Sequence, residues 1–195
     1  LISTVDRIDY SNDTATASVK GPLSVARCGL AATGNGSFGY RGGGNPGGKS
    51  TVERIDYSND TATASVKGPL NTQTWRMGGT GVGNQSFGYI GGGLNPSSPT
   101  LSTVQRINYL NDTPTALARG PLTAARKYSA GMSNENFGYF TGGSPSPVLV
   151  DRIDYSNDSA TASPKGTLRV ASDEGGATGN QSFGYLGGRY TGRKS

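Results

Sequence analysis

The chain of 195 residues has no histidine and one cysteine, Cys28. The first absence removes histidine metal ligands, histidine general bases and any Ser-His-Asp triad. The second removes a disulfide within the chain, so packing must hold the fold. No stretch reaches the ~20 consecutive apolar residues of a membrane-spanning helix, and no secretory leader pattern is read. An apolar stripe at i, i+3, i+4 spacing is also missing, so no helix is expected. Leu, Ile, Val and Phe are sparse. Such a composition signals disorder when net charge is high, but net charge here is +5 with 16% charged residues. The 32 glycines follow no three-residue period, which excludes a collagen-like fibre. What remains is a folded domain packed from small residues. Its balance is basic (pI near 9.4), yet Lys and Arg are spread along the chain rather than gathered into the stripe a nucleic-acid groove requires.

What the chain does contain is one unit written four times. The phrase RIDYSNDTATASVKGPL at Arg7–Leu23 returns unchanged at Arg54–Leu70, and drifted at Arg106–Leu122 and Arg152–Leu168. A second phrase follows each copy: GNGSFGYRGGG from Gly34, GNQSFGYIGGG from Gly83, SNENFGYFTGG from Ser133 and GNQSFGYLGG from Gly179. The copies of the first phrase start 47, 52 and 46 residues apart. A period of roughly 40–50 residues is that of a four-stranded propeller blade. Residues 1–195 therefore form a single domain, with repeats starting near residues 3, 50, 102 and 148.

Each unit carries four strand signals. Ser3–Tyr10 is rich in β-branched and aromatic residues, Ser11-Asn12-Asp13 marks a turn, and Thr14–Lys20 returns. Gly21-Pro22 ends that strand because proline lacks the ladder donor. Cys28–Thr33 is a third strand of small residues, with Cys28 expected to be buried. Gly34-Asn35-Gly36 is a hairpin signal, and Ser37–Arg41 is the fourth strand.

These residues resemble the kelch repeat of β-propellers. Arg27-Cys28-Gly29-Leu30-Ala31-Ala32 resembles the start of the innermost strand. Phe38-Gly39-Tyr40 with Gly42-Gly43 resembles the second strand and its double glycine, and Val5-Asp6-Arg7-Ile8-Asp9 the third. The resemblance spans all four units. It implies an all-β fold, a small propeller of four kelch-like four-stranded blades. The family usually places an aromatic where Ile8, Ile55, Ile107 and Ile153 stand, and Trp where Ala15, Ala62, Pro114 and Ala160 stand. Tyr10, Tyr57, Tyr109 and Tyr155 are the residues available to replace that packing between blades. The wording is also similar to kelch-like proteins of marine phages and metagenomes, some of them virion structural proteins. Galactose oxidase, a copper enzyme of the family, holds its metal partly by histidine, so that activity does not carry over.

In the family's strand order, the outer strands within residues 1–20 complete the blade begun near Ser172–Gly188. The expectation is a ring closed by the N- and C-terminal strands, which hides the edges that invite aggregation. An open half-ring that meets a second chain to give eight blades satisfies the same strand balance, so a homo-oligomer is the alternative.

Candidate site residues lie where the loops run into the inner strands. Arg27, Arg76 and Arg126 recur there, joined by Trp75, Lys127, Tyr128 and Arg169. Cations and aromatics together suit acidic sugars or a protein contact. The other reading of the arginines is that each pairs with an acid or a loop carbonyl and fixes its blade. Asp9, Asn12 and Asp13 read as turn residues rather than a calcium loop, and no metal or cofactor is expected. The functional expectation is a non-catalytic structural or binding propeller, a virion or cell-surface component that contacts a glycan or a neighbouring protein subunit. The alternative is an enzyme, a lyase or hydrolase built from Arg76, Lys127, Tyr128, Asp173 and Glu174, of which Asp173 and Glu174 stand out because no other copy has an acid there.

Overall fold

Valine and isoleucine alternating with charged residues, as in Val-Glu-Arg-Ile-Asp, suit a pleated strand. The computed structural model describes all residues except 76, 78–80, 98 and 189–195. In it these phrases become the third strand of each sheet. A first hairpin joins β1 (Val5–Arg7) to β2 (Ser18–Lys20). Sheet one is an antiparallel meander of β3 (Ala31–Gly34), β4 (Phe38–Gly42), β5 (Val52–Asp56) and β6 (Ser65–Lys67). Sheet two repeats it with β7 (Gly81–Gly83), β8 (Phe87–Gly91), β9 (Val104–Asn108) and β10 (Leu117–Arg119). Sheet three has β11 (Ala130–Ser133), β12 (Phe137–Thr141), β13 (Val150–Asp154) and β14 (Ser163–Pro164). A last hairpin joins β15 (Gly176–Gly179) to β16 (Gly184–Gly187). The protein is all-β.

The inner hairpins turn on asparagine. Asn35 Oδ1 accepts from the amides of Ser37 and Phe38, both at 2.9 Å, and Asn84, Asn134 and Asn180 repeat the pattern. This is the side-chain-to-backbone bond that makes asparagine a turn residue. A second carboxylate turn shortens the outer strands. Asp9, Asp56 and Asp154 each capture a serine amide two residues on, at 2.9 Å. The backbone leaves the ladder there, so β5 and β13 end at Asp56 and Asp154; β1, paired only with β2, already ends at Arg7 rather than running to Tyr10.

The core lies mainly between sheets. One apolar cluster includes Tyr40, Val52, Leu70, Ile90 and Ile107, and a second includes Val82, Tyr89, Val104, Phe140 and Ile153. Tyr40 stacks on Tyr109 with ring centres 4.8 Å apart, and Tyr89 on Tyr155 at 4.9 Å. Of the four tyrosines expected to pack between units, Tyr109 and Tyr155 do so, whereas Tyr10 and Tyr57 are exposed. Strand contacts across sheets join successive units, β3 with β7 and β8, β7 with β11 and β12, and β11 with β15 and β16, the arrangement expected of repeat proteins.

Two expectations change. Cys28 is exposed, because it pairs only by an isolated bridge to Asn45 before β3 begins. Next to it Leu30 is half-buried, Ala31 buried and Ala32 exposed. The expected pairing of the terminal strands is also not seen: among the described residues β1–β2 and β15–β16 are two separate two-stranded sheets.

Candidate functional site

In sheets one and three the loop leading into the inner strand brings an arginine over its own sheet. Arg27 donates to the carbonyls of Gly43 and Thr51 and pairs with Glu53. Glu53 also accepts from the Ser24 amide. Arg126 donates to the Phe140 carbonyl at 3.0 Å and to Asp151 at 2.9 Å. Asp151 further accepts from the amide and hydroxyl of Thr123, at 2.9 and 2.7 Å. In sheet two the acid is replaced by Gln105, which accepts from the Thr72 amide at 2.8 Å. Both ion pairs are buried. Burial lowers the pKa of Arg126, and the Asp151 charge acts against that shift. Buried arginine is tolerated when paired and hydrogen-bonded in this way. Arg27 and Arg126 are therefore taken up in holding their own loops.

Of the remaining site candidates, Arg76 lies outside the described residues. Trp75 is half-buried, and its backbone pairs with Leu94 at 3.0 and 2.8 Å. Lys127 is half-buried and pairs likewise with Ser144, its ammonium lying 5.8 Å from the Tyr128 ring. Tyr128 is buried, with φ of 60°. Arg169 is exposed. The structure brings Tyr128 and Glu174 together, since the Glu174 amide donates to the Tyr128 carbonyl at 3.1 Å. Glu174 has φ of 61°, and the corresponding position in the first unit is Gly29, at φ of 64°. A left-handed residue at the same place in three units belongs to the repeated backbone path. Among the described residues no cluster of three or more His, Cys, Asp or Glu side chains is placed to hold a metal.

A second set of charges sits between sheets and was read in the sequence only as turns. Asp112 accepts from Arg54 and from the Tyr40 hydroxyl, both at 2.8 Å, with Lys67 at 3.4 Å. Asp158 does the same for Arg106 at 2.8 Å, Tyr89 at 2.9 Å and Arg119 at 3.3 Å. Asp60 receives Arg7 at 2.8 Å and Lys20 at 3.3 Å. One signal was present. The last residue of the Ser-Asn-Asp turn is Asp in all four copies, whereas the Asp9 position drifts to Asn108. The hydroxyls of Tyr40 and Tyr89 are pushed well above the ordinary tyrosine range, first by burial and then by the bonded aspartate.

The inner turns form a third repeated feature. Asn35 Nδ2 donates to the Gln85 carbonyl at 3.1 Å, Asn84 to Glu135 and Asn134 to Gln181, each at 3.3 Å. A polar cavity of about 330 Å³ opens among them, lined by Asn84, Gln85, Ser133, Glu135 and Gln181. No protein-family model matches the chain, and no curated protein sequence does.

Proposed function

We propose that the chain is a non-catalytic propeller scaffold of kelch-like blades, a virion or cell-surface component that contacts a glycan or a neighbouring protein subunit. In this reading each four-stranded sheet is a blade, and the two end hairpins are the outer and inner halves of a fourth. One observation carries it. The repeated charged residues, Arg27, Arg54, Arg106 and Arg126 with their acids, serve the same structural contacts from unit to unit. A site that differs between units must then come from the residues that do not repeat. Those are Trp75, Lys127 and Arg169, on loops leading into the inner strands, and loops on a rigid repeated frame are where binding residues concentrate.

An acidic-glycan array with the wild-type chain and a Trp75→Ala/Lys127→Ala variant tests the reading. Binding by the wild type that the double variant loses supports a sugar site on this rim. Equal binding by both removes the rim. No binding by either removes the glycan and leaves the subunit contact, which requires cross-links from Lys127 to a neighbouring protein in the native particle. Absence of those cross-links as well would sink the proposal.

A further inference from the structure

Three junctions between neighbouring sheets follow one template. An aspartate of the later sheet is held by basic side chains of the earlier: Asp60 by Arg7 and Lys20, Asp112 by Arg54 and Lys67, and Asp158 by Arg106 and Arg119. The backbone carbonyl of the same aspartate accepts from a glycine: Gly21 at 2.8 Å, Gly68 and Gly120 at 2.9 Å. Those glycines are seated tightly. A Cβ on Gly21, Gly68 or Gly120 would lie 1.9, 1.9 or 1.8 Å from the carbonyl oxygen of Ala62, Pro114 or Ala160.

Sheet three carries the earlier half of this template, and among the described residues no aspartate is paired with it. Arg152, Lys165 and Gly166 stand where Arg106, Arg119 and Gly120 stand one unit before. Among the described residues no carboxylate lies within ion-pair distance of Arg152 or Lys165, and a Cβ on Gly166 would meet nothing within 4 Å. The first hairpin carries the later half, Tyr10 and Asp13. Tyr10 is 93% exposed where its counterpart Tyr109 is 6% exposed. A second broken junction lies beside it. Tyr57 on sheet one and Tyr185 on the last hairpin are both exposed, although their counterparts Tyr109 and Tyr40 stack. Thr33 bonds the Tyr109 hydroxyl at 2.7 Å, and Thr178 is its counterpart for Tyr57. A groove of about 220 Å³ between the first hairpin and sheet one, bounded by Arg7, Lys20, Ile55 and Tyr57, lies open there.

We infer that these faces are filled by a second copy of this chain. Strand β16 of one copy pairs with β1 of the other, and the reverse pairing closes a two-copy ring of eight blades. The register is fixed by its precedents. Tyr40 lies opposite Arg54, Tyr89 opposite Arg106 and Tyr139 opposite Arg152, which sets Tyr185 opposite Arg7 of the second copy. Asp13 of each copy then enters the socket of Arg152 and Lys165 on the other. The occupant is a second copy rather than the chain's own end for a geometric reason. Each hairpin already sits on its neighbouring sheet, the first through Arg7 and Lys20 on Asp60 and the last with β15 against β11. In those seats the two remain separate sheets. Head-to-tail contacts of this kind form rings when the rotation closes. The inference rests on reading the hairpins as half-blades.

Light scattering on the full chain tests it, with an expected mass of twice 20.0 kDa. Gly166→Ala fits the isolated unit, so its far-UV spectrum is unchanged while dimer affinity falls by about tenfold or more. Asp13→Arg and Arg152→Asp each give monomers alone. An equimolar mixture regains the dimer, because swapped charges face each other at one junction and native ones at the other. A monomeric wild type, or a mixture that stays monomeric, overturns the second copy. If the single variants lower the melting temperature of a monomer and the double variant in one chain restores it, the half-blades close on themselves. The half-blade reading then stands and the dimer falls. If no variant moves either mass or melting, both fall.

Discussion

The pairs Arg126–Asp151 and Arg106–Asp158 have nearly the same length, 2.9 and 2.8 Å, and opposite settings. The first lies inside one unit with both side chains fully buried; Thr123 and the Phe140 carbonyl add three hydrogen bonds to it, while Nε and Nη1 of Arg126 stay without a partner. The second bridges two units, is partly wet, and shares its aspartate with Arg119 and the Tyr89 hydroxyl. Full burial makes a charge costly to orphan, whereas water cushions the loss of a partner at a wetter site. The inner pair therefore governs whether a unit keeps its loop. The outer one governs how units sit against each other.

Breaking the comparison at its stronger side gives the largest expected effect. Asp151→Ala leaves Arg126 charged in a dry pocket and should lower unfolding free energy by about 3–5 kcal/mol in urea titration. A loss below about 1 kcal/mol would mean that water reaches the pocket. Asp158→Ala should cost about 1–2 kcal/mol, since Arg106 and Arg119 are left partly hydrated and only the Tyr89 hydroxyl loses its partner in a buried setting. A double-mutant cycle with Arg106→Ala should show a coupling of the order of 0.5–1 kcal/mol, the range of a partly exposed pair. Tyr89→Phe removes one hydroxyl bond and keeps the ring stack on Tyr155, at an expected cost of about 1 kcal/mol. Equal losses for Tyr89→Phe and Asp158→Ala would show that the arginines add nothing to the junction.

The pH dependence sharpens the same contrast. The Tyr40 and Tyr89 hydroxyls titrate above the ordinary 10.0 in the folded chain. A raised acid favours its neutral form, so their contribution is complete below pH 10 and is lost as pH rises through the raised values. Burial of Asp60 pushes its pKa up, but the bonds from Lys20 and Arg7 prevail and hold it below 3.8. Its contribution is present above that value and is lost as pH falls through the depressed one. Urea midpoints should drop modestly on moving from pH 7 to 11 or to 3. In Tyr89→Phe the alkaline drop should shrink, and an undiminished drop would assign it elsewhere.

The fold was legible where residue type and local structure coincide. Val-Glu-Arg-Ile-Asp had to be a strand and Gly-Asn-Gly a hairpin, and the period announced four equivalent units. The buried role of Arg27 and Arg126 was one of two readings that composition allowed, and only three-dimensional placement beside Glu53 and Asp151 separates them. The junction aspartates were hidden because a turn residue looks the same whether or not a guanidinium reaches it from 52 or 53 residues away, as Arg106 reaches Asp158 and Arg7 reaches Asp60. Cys28 was misplaced because a small residue beside a strand carries no mark of burial. The separation of the end hairpins was out of reach for another reason: the curvature of an array is summed from its junctions and is written in no single residue.

The asparagine turns carry one more consequence. Asn35, Asn84 and Asn134 each hold the next unit by a backbone carbonyl, belonging to Gln85, Glu135 and Gln181. A carbonyl is present whatever side chain it bears, so substitution at the receiving position leaves this clasp intact. Shape and chemical identity are thus separable for this clasp, although the Gln85 and Gln181 side chains add a second bond by accepting from the amides of Gly36 and Glu135. Mutation at a receiving position can therefore change the surface while the main-chain half of the contact keeps the units in place.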